Sequence, residues 1–189
     1  MTTYADEMTL RDARTRYFEA NGFGTDGGYG KKWEIIKVGP LPIPIRNLPA
    51  RVAAIRFHDL HHIVTGYDTN LVGEAEIGAW EIASGCADKW FAWGINLQAM
   101  LLGLAVGPAA SFAAFVRGRH SKSLYAETYD EALLQQTVGE TKRRLALDRP
   151  APTASAGDTA AFVGCVATAV FLHLAPLAAL GWLAWWVWS

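Results

Sequence analysis

The sequence has little charge, and the charge that it has is balanced. Lys and Arg together number 17 and Asp and Glu together number 18, so the formal net charge is −1. A surface that binds nucleic acid needs clustered cations to neutralise phosphates, and we therefore expect no nucleic-acid partner. The hydrophobic fraction of 51% is too high for a disordered chain, and eight Trp favour contact with a membrane.

Cysteine is scarce as well. The chain has two, Cys86 and Cys165, which are far apart in the sequence. Their spacing excludes a disulfide framework and a thiolate zinc site, and it predicts free thiols in a reducing compartment. Residues 1–20 interleave basic and acidic residues and lack the apolar core of a secretory signal. We therefore expect the N-terminal half to lie on the cytoplasmic side.

Two long stretches, residues 90–116 and 159–188, contain no charged residue at all. A segment rich in Pro, Ala, Thr, Ser and Gly precedes the second stretch and is typical of a linker. This pattern predicts a helical domain over residues 1–149, a linker over residues 150–158 and a membrane anchor over residues 159–189.

The C-terminal apolar stretch is long enough to cross a bilayer, whose core needs about 20 residues of helix. We predict one tilted span over residues 160–180, followed by Trp residues at the membrane interface. Pro176 leaves an alternative open, in which the stretch forms a hairpin of two pieces that are too short to cross.

The other apolar stretch, residues 90–116, is interrupted. Asn96 and Gln98 lie inside it, and Gly107-Pro108 breaks it. Both of its flanks carry Lys and Arg, so the positive-inside rule gives no orientation for a crossing. We expect this segment to dip into the bilayer or to line an apolar pocket, and a crossing stays open as the alternative.

The rest of the chain predicts an all-α protein. Helices are expected over residues 9–19, 47–65, 70–84 and 129–145. Asn47 and Asn70 are the predicted caps of the second and third of these helices, and Gly66 is the predicted stop of the second.

Residues 33–38, WEIIKV, are alone in having the character of a strand. Prolines follow at alternate positions, and proline cannot donate a backbone hydrogen bond. We therefore expect Pro40, Pro42 and Pro44 to end any strand after residue 38.

The residues best suited to chemistry cluster in His58-Asp59-Leu60-His61-His62. On a helix, at about 100° per residue, His58, His62 and Asp59 fall in one sector, and His61 points away from Asp59. Two imidazoles and a carboxylate at the edge of a core are costly unless something such as a divalent cation satisfies them. A hydrogen-bonded structural His–Asp pair is the alternative.

The next helix can supply a further metal ligand. The connection over residues 66–70 is short enough to fold this helix antiparallel beside the first, which brings Glu74 opposite His58 and His62. Glu81 follows on the same face, where it could support the ligands. Two imidazoles and two carboxylates suit zinc, or iron or manganese with open positions, and the spacing does not choose among these metals.

The string His58-Asp59-x-x-His62, followed by eleven residues and then Glu74, resembles the signature of the Coq-four family of coenzyme Q biosynthesis proteins. Gly66-Tyr67 after the histidines and Gly73 before the glutamate also match that family. The later order of an acidic helix, a long apolar helix and a basic-acidic helix matches as well.

The resemblance covers about residues 45–147. Three features depart from the family's pattern. They are the extra His61, the glycine-rich segment over residues 22–30 and the apolar tail after residue 150.

The resemblance implies an all-α, membrane-associated protein that binds a divalent metal. By the match of positions, the ligands would be His58, Asp59, His62 and Glu74. Family members are held to replace the C1 carboxyl of a polyprenylated hydroxybenzoate by a hydroxyl, which is an oxidative decarboxylation. They are also thought to help assemble a lipid-handling enzyme complex, so we expect other membrane or quinone-pathway proteins as partners.

In that interpretation the interrupted apolar stretch lines the site for the isoprenoid tail of the substrate. The lining residues that we expect are Trp90, Trp93, Leu97, Leu101 and Leu104. The metal would hold the ring hydroxyl or carboxylate and spread its charge as carbon dioxide leaves, and oxygen or activated water would deliver the new hydroxyl. Glu81 is the candidate for proton transfer.

Two functions of another class stay open. The first is a non-catalytic polyprenyl-lipid-binding or scaffold subunit in which the metal is structural. The second is an accessory subunit of a quinone-using respiratory or photosynthetic complex. Turnover of a carboxylated quinone precursor would separate the enzyme from both.

Overall fold

The computed structural model describes residues 3–38 and 41–188. Within them the chain is mostly helical, as the sequence predicts, with one two-stranded hairpin and one long apolar helix at the C-terminal end. In chain order the elements are α1 (Leu10–Asn21), β1 (Trp33–Val38), β2 (Leu41–Arg46), α2 (Pro49–Thr65), α3 (Leu71–Ser84), α4 (Trp90–Val106), α5 (Pro108–Arg119), α6 (Glu131–Gln135), α7 (Val138–Arg144) and α8 (Ala156–Trp188).

Helix α2 carries the histidine cluster, and its cap differs from the predicted one. Leu48 occupies the N-cap position without a side-chain hydrogen bond, and Pro49 follows in the first turn, where an N–H would have no helical partner. The side-chain amide of Asn47 donates instead to the carbonyls of Gly28 (3.0 Å) and Lys31 (2.8 Å). Asn47 therefore fastens the glycine-rich loop to the start of α2 rather than capping the helix.

The turn between α2 and α3 confirms the sequence signals. Gly66 ends α2 with a φ of 79°, and the Asn70 side chain accepts hydrogen bonds from the backbone N–H groups of Val72 and Gly73, both at 3.0 Å. A Cβ on Gly73 would lie 2.0 Å from the carbonyl oxygen of Asp68. This turn therefore requires glycine, and it brings the first turn of α3 beside the end of α2.

The hairpin corrects the expectation that prolines end the strand region. β2 pairs with β1 antiparallel along its whole length, with Pro44 opposite Ile35 and Pro42 opposite Lys37. The two prolines are two residues apart, so their nitrogens point to the same side of β2, and the unbroken pairing requires that this side faces away from β1. The ladder therefore loses no hydrogen bond to proline. Pro40, the third expected breaker, lies outside the described residues.

The single helix predicted over residues 129–145 is divided into α6 and α7. The backbone between them is extended because it pairs with the segment before α1. The N–H of Leu10 donates to the carbonyl of Gln136, and the N–H of Val138 donates to the carbonyl of Met8, both at 2.8 Å. These long-range hydrogen bonds override the local helix propensity that the sequence pattern expresses.

Helix α3 lies at the centre of the domain, packed between α4 and α5. Its close approach to both depends on glycine. A Cβ on Gly78 would lie 2.6 Å from the Cβ of Ala99 in α4, and a Cβ on Gly118 in α5 would lie 2.5 Å from the carbonyl oxygen of Trp80. The apolar stretch over residues 90–116 is thus two helices that both pack on α3.

Helix α8 is a single helix of 33 residues. It continues through Pro176, so the hairpin alternative is not the one observed. By length and composition it could cross a membrane, and the candidate span among its described residues, Ala156–Pro176, is largely exposed. Its first residue lies inside the segment predicted to be a linker, so the helix begins close to the domain.

The start of α8 is docked on α5. Phe162 packs against the rings of Phe112 and Phe115, with centroid distances of 5.3 and 5.2 Å. Arg119 at the end of α5 pairs with Asp158 at 2.6 Å. Aromatic packing and an ion pair therefore join the helical domain to the first turns of the apolar helix.

Candidate metal centre

Three of the four predicted ligands converge between α2 and α3. The Nε2 atoms of His58 and His62 lie 3.1 Å apart, and they lie 3.4 and 3.5 Å from the two carboxylate oxygens of Glu74. Metal–ligand bonds of about 2.1 Å in a tetrahedral arrangement place neighbouring ligand atoms about 3.4 Å apart. The three side chains could therefore hold a metal ion.

The outer nitrogens of both rings are held by oxygens. His58 Nδ1 lies 3.1 Å from a carboxylate oxygen of Glu81, and His62 Nδ1 lies 3.0 Å from the carbonyl of Tyr67. When each Nδ1–H donates to its oxygen, each Nε2 carries a lone pair directed at the other ring. A cation between the rings, or a proton on one of them, satisfies these lone pairs. A hydrogen bond from the outer ring nitrogen to an oxygen is the usual support of a histidine metal ligand.

The charges of the group are mutually stabilising. Burial alone would lower the pKa of His58, but the carboxylates of Glu81 and Glu74 raise it well above its ordinary value. Burial would raise the pKa of Glu74, but hydrogen bonds with His58 and His62 lower it to about 2. The site therefore favours positive charge between the rings and a negative charge on the carboxylate.

Glu81, on α3, is the hub of a buried polar network. Its carboxylate is fully buried and accepts hydrogen bonds from His58, His61, Asn96 and Tyr125. Burial raises its pKa, but His58 and His61 lower it below the ordinary range. The carboxylate thus lies behind the candidate ligands, in the supporting position predicted for it, and its expected part in proton transfer stays a prediction.

His61 was a departure from the family pattern with no assigned role, and the structure gives it one. Its Nε2 accepts a hydrogen bond from the N–H of Leu124 (2.9 Å), so its hydrogen is on Nδ1, which donates to Glu81 at 2.6 Å. Burial lowers its pKa, consistent with a neutral ring. Helix spacing shows that His61 points away from Asp59, but its two partners lie on other elements, which the sequence pattern does not reveal.

Asp59 is not brought to the three other predicted ligands. Its buried carboxylate accepts a hydrogen bond from the hydroxyl of Tyr29 in the glycine-rich loop. Burial raises the pKa of Asp59 to about 6. Asp59 is the residue after His58 in α2, and its side chain faces the glycine-rich loop instead of α3. Asp59 therefore lies in the predicted helix sector but not next to the other ligands.

One side of the candidate centre is accessible. The side chain of Glu74 is 38% exposed and that of His58 is 21% exposed, whereas that of His62 is 1% exposed. The ring of Tyr17 stacks on His62 with centroids 5.7 Å apart and covers one face of that imidazole. The group supplies three protein side chains, so a metal held here would leave a coordination position for water or a ligand, whereas structural zinc sites are closed by four protein ligands.

The predicted lining residues form a stripe along α4, because they are spaced three or four residues apart. Trp90, Trp93 and Leu104 are exposed, whereas Leu97 and Leu101 are half-buried against the core. The stripe has apolar surface available to a lipid. Asn96, on the buried side of the same helix, donates to Glu81 and so connects α4 to the candidate centre.

Two imidazoles and one carboxylate are a donor set that suits zinc, and also iron or manganese. Such a centre can polarise a carboxylate or carbonyl oxygen and can activate a bound water. Comparison with protein-family models, with curated proteins and with solved structures finds no match to this chain.

Proposed function

We propose that the chain is a membrane-attached, metal-dependent enzyme that acts on the ring carboxyl of a polyprenylated hydroxybenzoate, a quinone precursor. The observation that carries this proposal is the open group of His58, His62 and Glu74, whose imidazoles are held from behind. The sequence resemblance to the Coq-four family supplies the substrate class. The reaction replaces a carboxyl group by a hydroxyl group and releases carbon dioxide.

The chain's own residues would bind and orient the reacting ring. His58, His62 and Glu74 would hold the metal, which supplies a Lewis acid for the carboxylate or hydroxyl of the ring. Glu81 and His61 fix the orientation of His58 from the buried side. Tyr17 excludes water from one face of the His62 imidazole. The aromatic ring of the substrate would therefore enter from the side where Glu74 is exposed.

The prenyl tail would lie on the stripe of α4. Its exposed Trp90, Trp93 and Leu104 offer apolar surface of the kind that an isoprenoid chain covers. In this proposal α8 crosses the bilayer and holds the domain on the cytoplasmic face. A substrate whose tail stays in lipid would then reach the centre without passing through water.

Turnover by the purified full chain in lipid nanodiscs tests the proposal. The loss of a carboxyl and the gain of a hydroxyl is a two-electron oxidation, which balances when the acid, water and dioxygen give the hydroxylated ring, carbon dioxide and hydrogen peroxide. The assay therefore supplies dioxygen and a prenylated hydroxybenzoate after loading with zinc, iron or manganese in turn. We expect carbon dioxide and the hydroxylated ring with at least one metal. Glu74→Gln should abolish product, and Glu76→Gln, two residues along the same helix, should retain it.

A second candidate function is a lipid-binding or scaffold subunit in which the metal is structural. The buried network around Glu81 favours it, because this network already joins α2, α3 and α4, and a metal held by His58, His62 and Glu74 would reinforce the contact between α2 and α3. Stoichiometric metal binding without turnover under any of the three metals would support this function. It would also contradict the enzyme.

A further inference from the structure

The β1–β2 hairpin exposes large apolar side chains on both of its faces. Directly paired residues of two strands lie on the same face. Side chains alternate along a strand, so Trp33 and Ile35 share one face of the hairpin. Leu41 pairs with Val38, which has the opposite parity in β1, and therefore lies on the other face. The exposed fractions are 54% for Trp33, 61% for Ile35 and 64% for Leu41.

Little else in the described part of the chain covers this hairpin. Neither strand packs extensively against a helix. An isolated two-stranded hairpin is only marginally stable in water, and exposed apolar residues on both faces make it less suited to water still. A protein partner docked on one face would leave the other face exposed, whereas lipid can cover both.

The outer edge of the hairpin is also adapted to a partner that offers few hydrogen bonds. Pro42 and Pro44 lie on the edge of β2 that faces away from β1 and carry no N–H group. They therefore block the addition of a further strand. They also remove two donors that would otherwise be left unsatisfied when the edge leaves water.

Basic side chains lie at the base of the hairpin. Lys31 and Lys32 precede β1 and Arg46 ends β2, and all three are exposed. Lys31 also lies 3.4 Å from Glu34, which partly balances it. Basic residues next to an apolar segment favour the anionic headgroup layer of a membrane.

We propose that this hairpin inserts into the headgroup and upper acyl layer of the membrane to which α8 attaches the chain. The occupant is lipid, because both faces expose large apolar side chains, the outer edge is blocked by proline and the base is basic. The inference relies on the membrane attachment proposed above, and it is independent of the reaction.

Insertion there would bring the candidate metal centre to the lipid surface. Asn47 fastens the loop before β1 to the start of α2, and Tyr29 in that loop donates to Asp59, the neighbour of His58. The hairpin is thus joined through two short hydrogen-bonded links to the helix that carries the ligands.

Site-directed spin labelling of the full chain tests the inference. In a Cys86→Ser, Cys165→Ser background, a nitroxide is placed by Ile35→Cys or by Leu41→Cys, one on each face. The chain is reconstituted in vesicles of phosphatidylcholine and phosphatidylglycerol. Power saturation then compares collisions with oxygen, which concentrates in lipid, and with a nickel chelate, which stays in water.

We expect both hairpin labels to collide readily with oxygen and to lose most of their nickel collisions relative to a label at Glu19→Cys on the exposed surface of α1. Nickel collisions equal to those at Glu19→Cys would overturn the inference, because the hairpin would then be in water. Low collision with both reagents would overturn it too, since it would indicate cover by protein, such as a second copy of the chain.

A label at Val170→Cys, on an exposed position of α8, separates the two proposals. If it collides with oxygen while the hairpin labels stay in water, membrane attachment holds and only the hairpin inference fails. If the α8 label is itself in water, the attachment fails, and the hairpin inference fails with it.

Discussion

At the scale of single residues, Glu81 shows how a fully buried carboxylate can support a candidate metal site without itself belonging to the ligand group. It accepts from four side chains, and two of its donors, His58 and His61, lie on the same helix. One of these donors is a candidate metal ligand and the other is not. The position of the carboxylate is set by α3 and α4, and the carboxylate in turn fixes the orientation of the His58 ring.

Glu81→Gln should weaken metal binding without removing it. Glutamine keeps the shape but removes the negative charge, and its NH2 must face either the histidine nitrogens or the donors Asn96 and Tyr125, so the support of His58 is weakened. We expect the zinc affinity to fall about 10- to 100-fold, the usual effect of losing a partner behind a ligand. Competition with a chromophoric chelator measures this, and an unchanged affinity in a folded variant would contradict the positioning role.

Glu74→Gln should have a larger effect, because it removes an atom that would bind the metal. We expect the affinity to fall by more than about 100-fold, beyond the range for a supporting residue. Glu76→Gln is the matched control on the same helix and should bind as the unaltered chain does. Equal losses in Glu74→Gln and Glu76→Gln would point to a general effect of charge instead of a ligand role.

The sequence predicted the convergence of His58, His62 and Glu74, because a helical spacing of four and a short turn are local features. It did not predict which way Asp59 faces. Helix angles place Asp59 in the same sector, but its partner Tyr29 is in an irregular loop whose path the sequence pattern does not give. The role of His61 was missed for the same reason, since its partners are distant in sequence.

At the scale of elements, the close contact of α3 with α5 depends on Gly118. A Cβ there would lie 2.5 Å from the carbonyl oxygen of Trp80 and 2.8 Å from the Cβ of Ala83, and a backbone atom cannot move aside easily. Gly118→Ala should therefore lower the free energy of unfolding by about 1–3 kcal/mol, as overpacking does.

Gly94→Ala is the matched control for that variant. A Cβ on Gly94, in α4, would meet nothing within 4 Å. Because alanine favours helix over glycine by about 1 kcal/mol, this variant should be as stable as the unaltered chain or more so. Chemical denaturation of both variants in detergent measures the difference, and equal destabilisation would refute the packing argument.

Elements were predictable where their signals were local. The caps and stops of the α2–α3 turn were in the sequence, and so was the uncharged length of α8. The separation of α6 from α7 was not, because it results from hydrogen bonds to the segment before α1. The pairing of β2 depends on which side of the strand the proline nitrogens face. If the prolines were shifted by one residue, their nitrogens would face β1 and the hydrogen-bond ladder would be broken.

At the scale of the whole molecule, the long apolar helix α8 gives the chain a segment that could cross a membrane. We expect the chain to stay in the membrane fraction after alkaline carbonate extraction. Val170→Arg puts a charge in the middle of the predicted span, which costs about 2.5–3.5 kcal/mol on insertion, so a larger soluble or degraded fraction should follow. Thr159→Arg, near the domain end of α8, should extract as the unaltered chain does.

Equal extraction of the two arginine variants would count against a membrane span. It would favour α8 as a helix that packs on another protein. The choice between these outcomes does not involve the metal, so it tests the position of the chain separately from its chemistry.

The docked start of α8 also has a mechanical consequence. Its 33 residues, at about 1.5 Å each, form a rod about 50 Å long that is clamped to the domain by Phe162 and Asp158. A flexible tether would let the domain tumble, whereas a clamped rod fixes its tilt and height. Inserting one residue into α8 beyond the clamp would therefore turn the outer part of the helix by about 100° relative to the domain and lengthen the rod by about 1.5 Å.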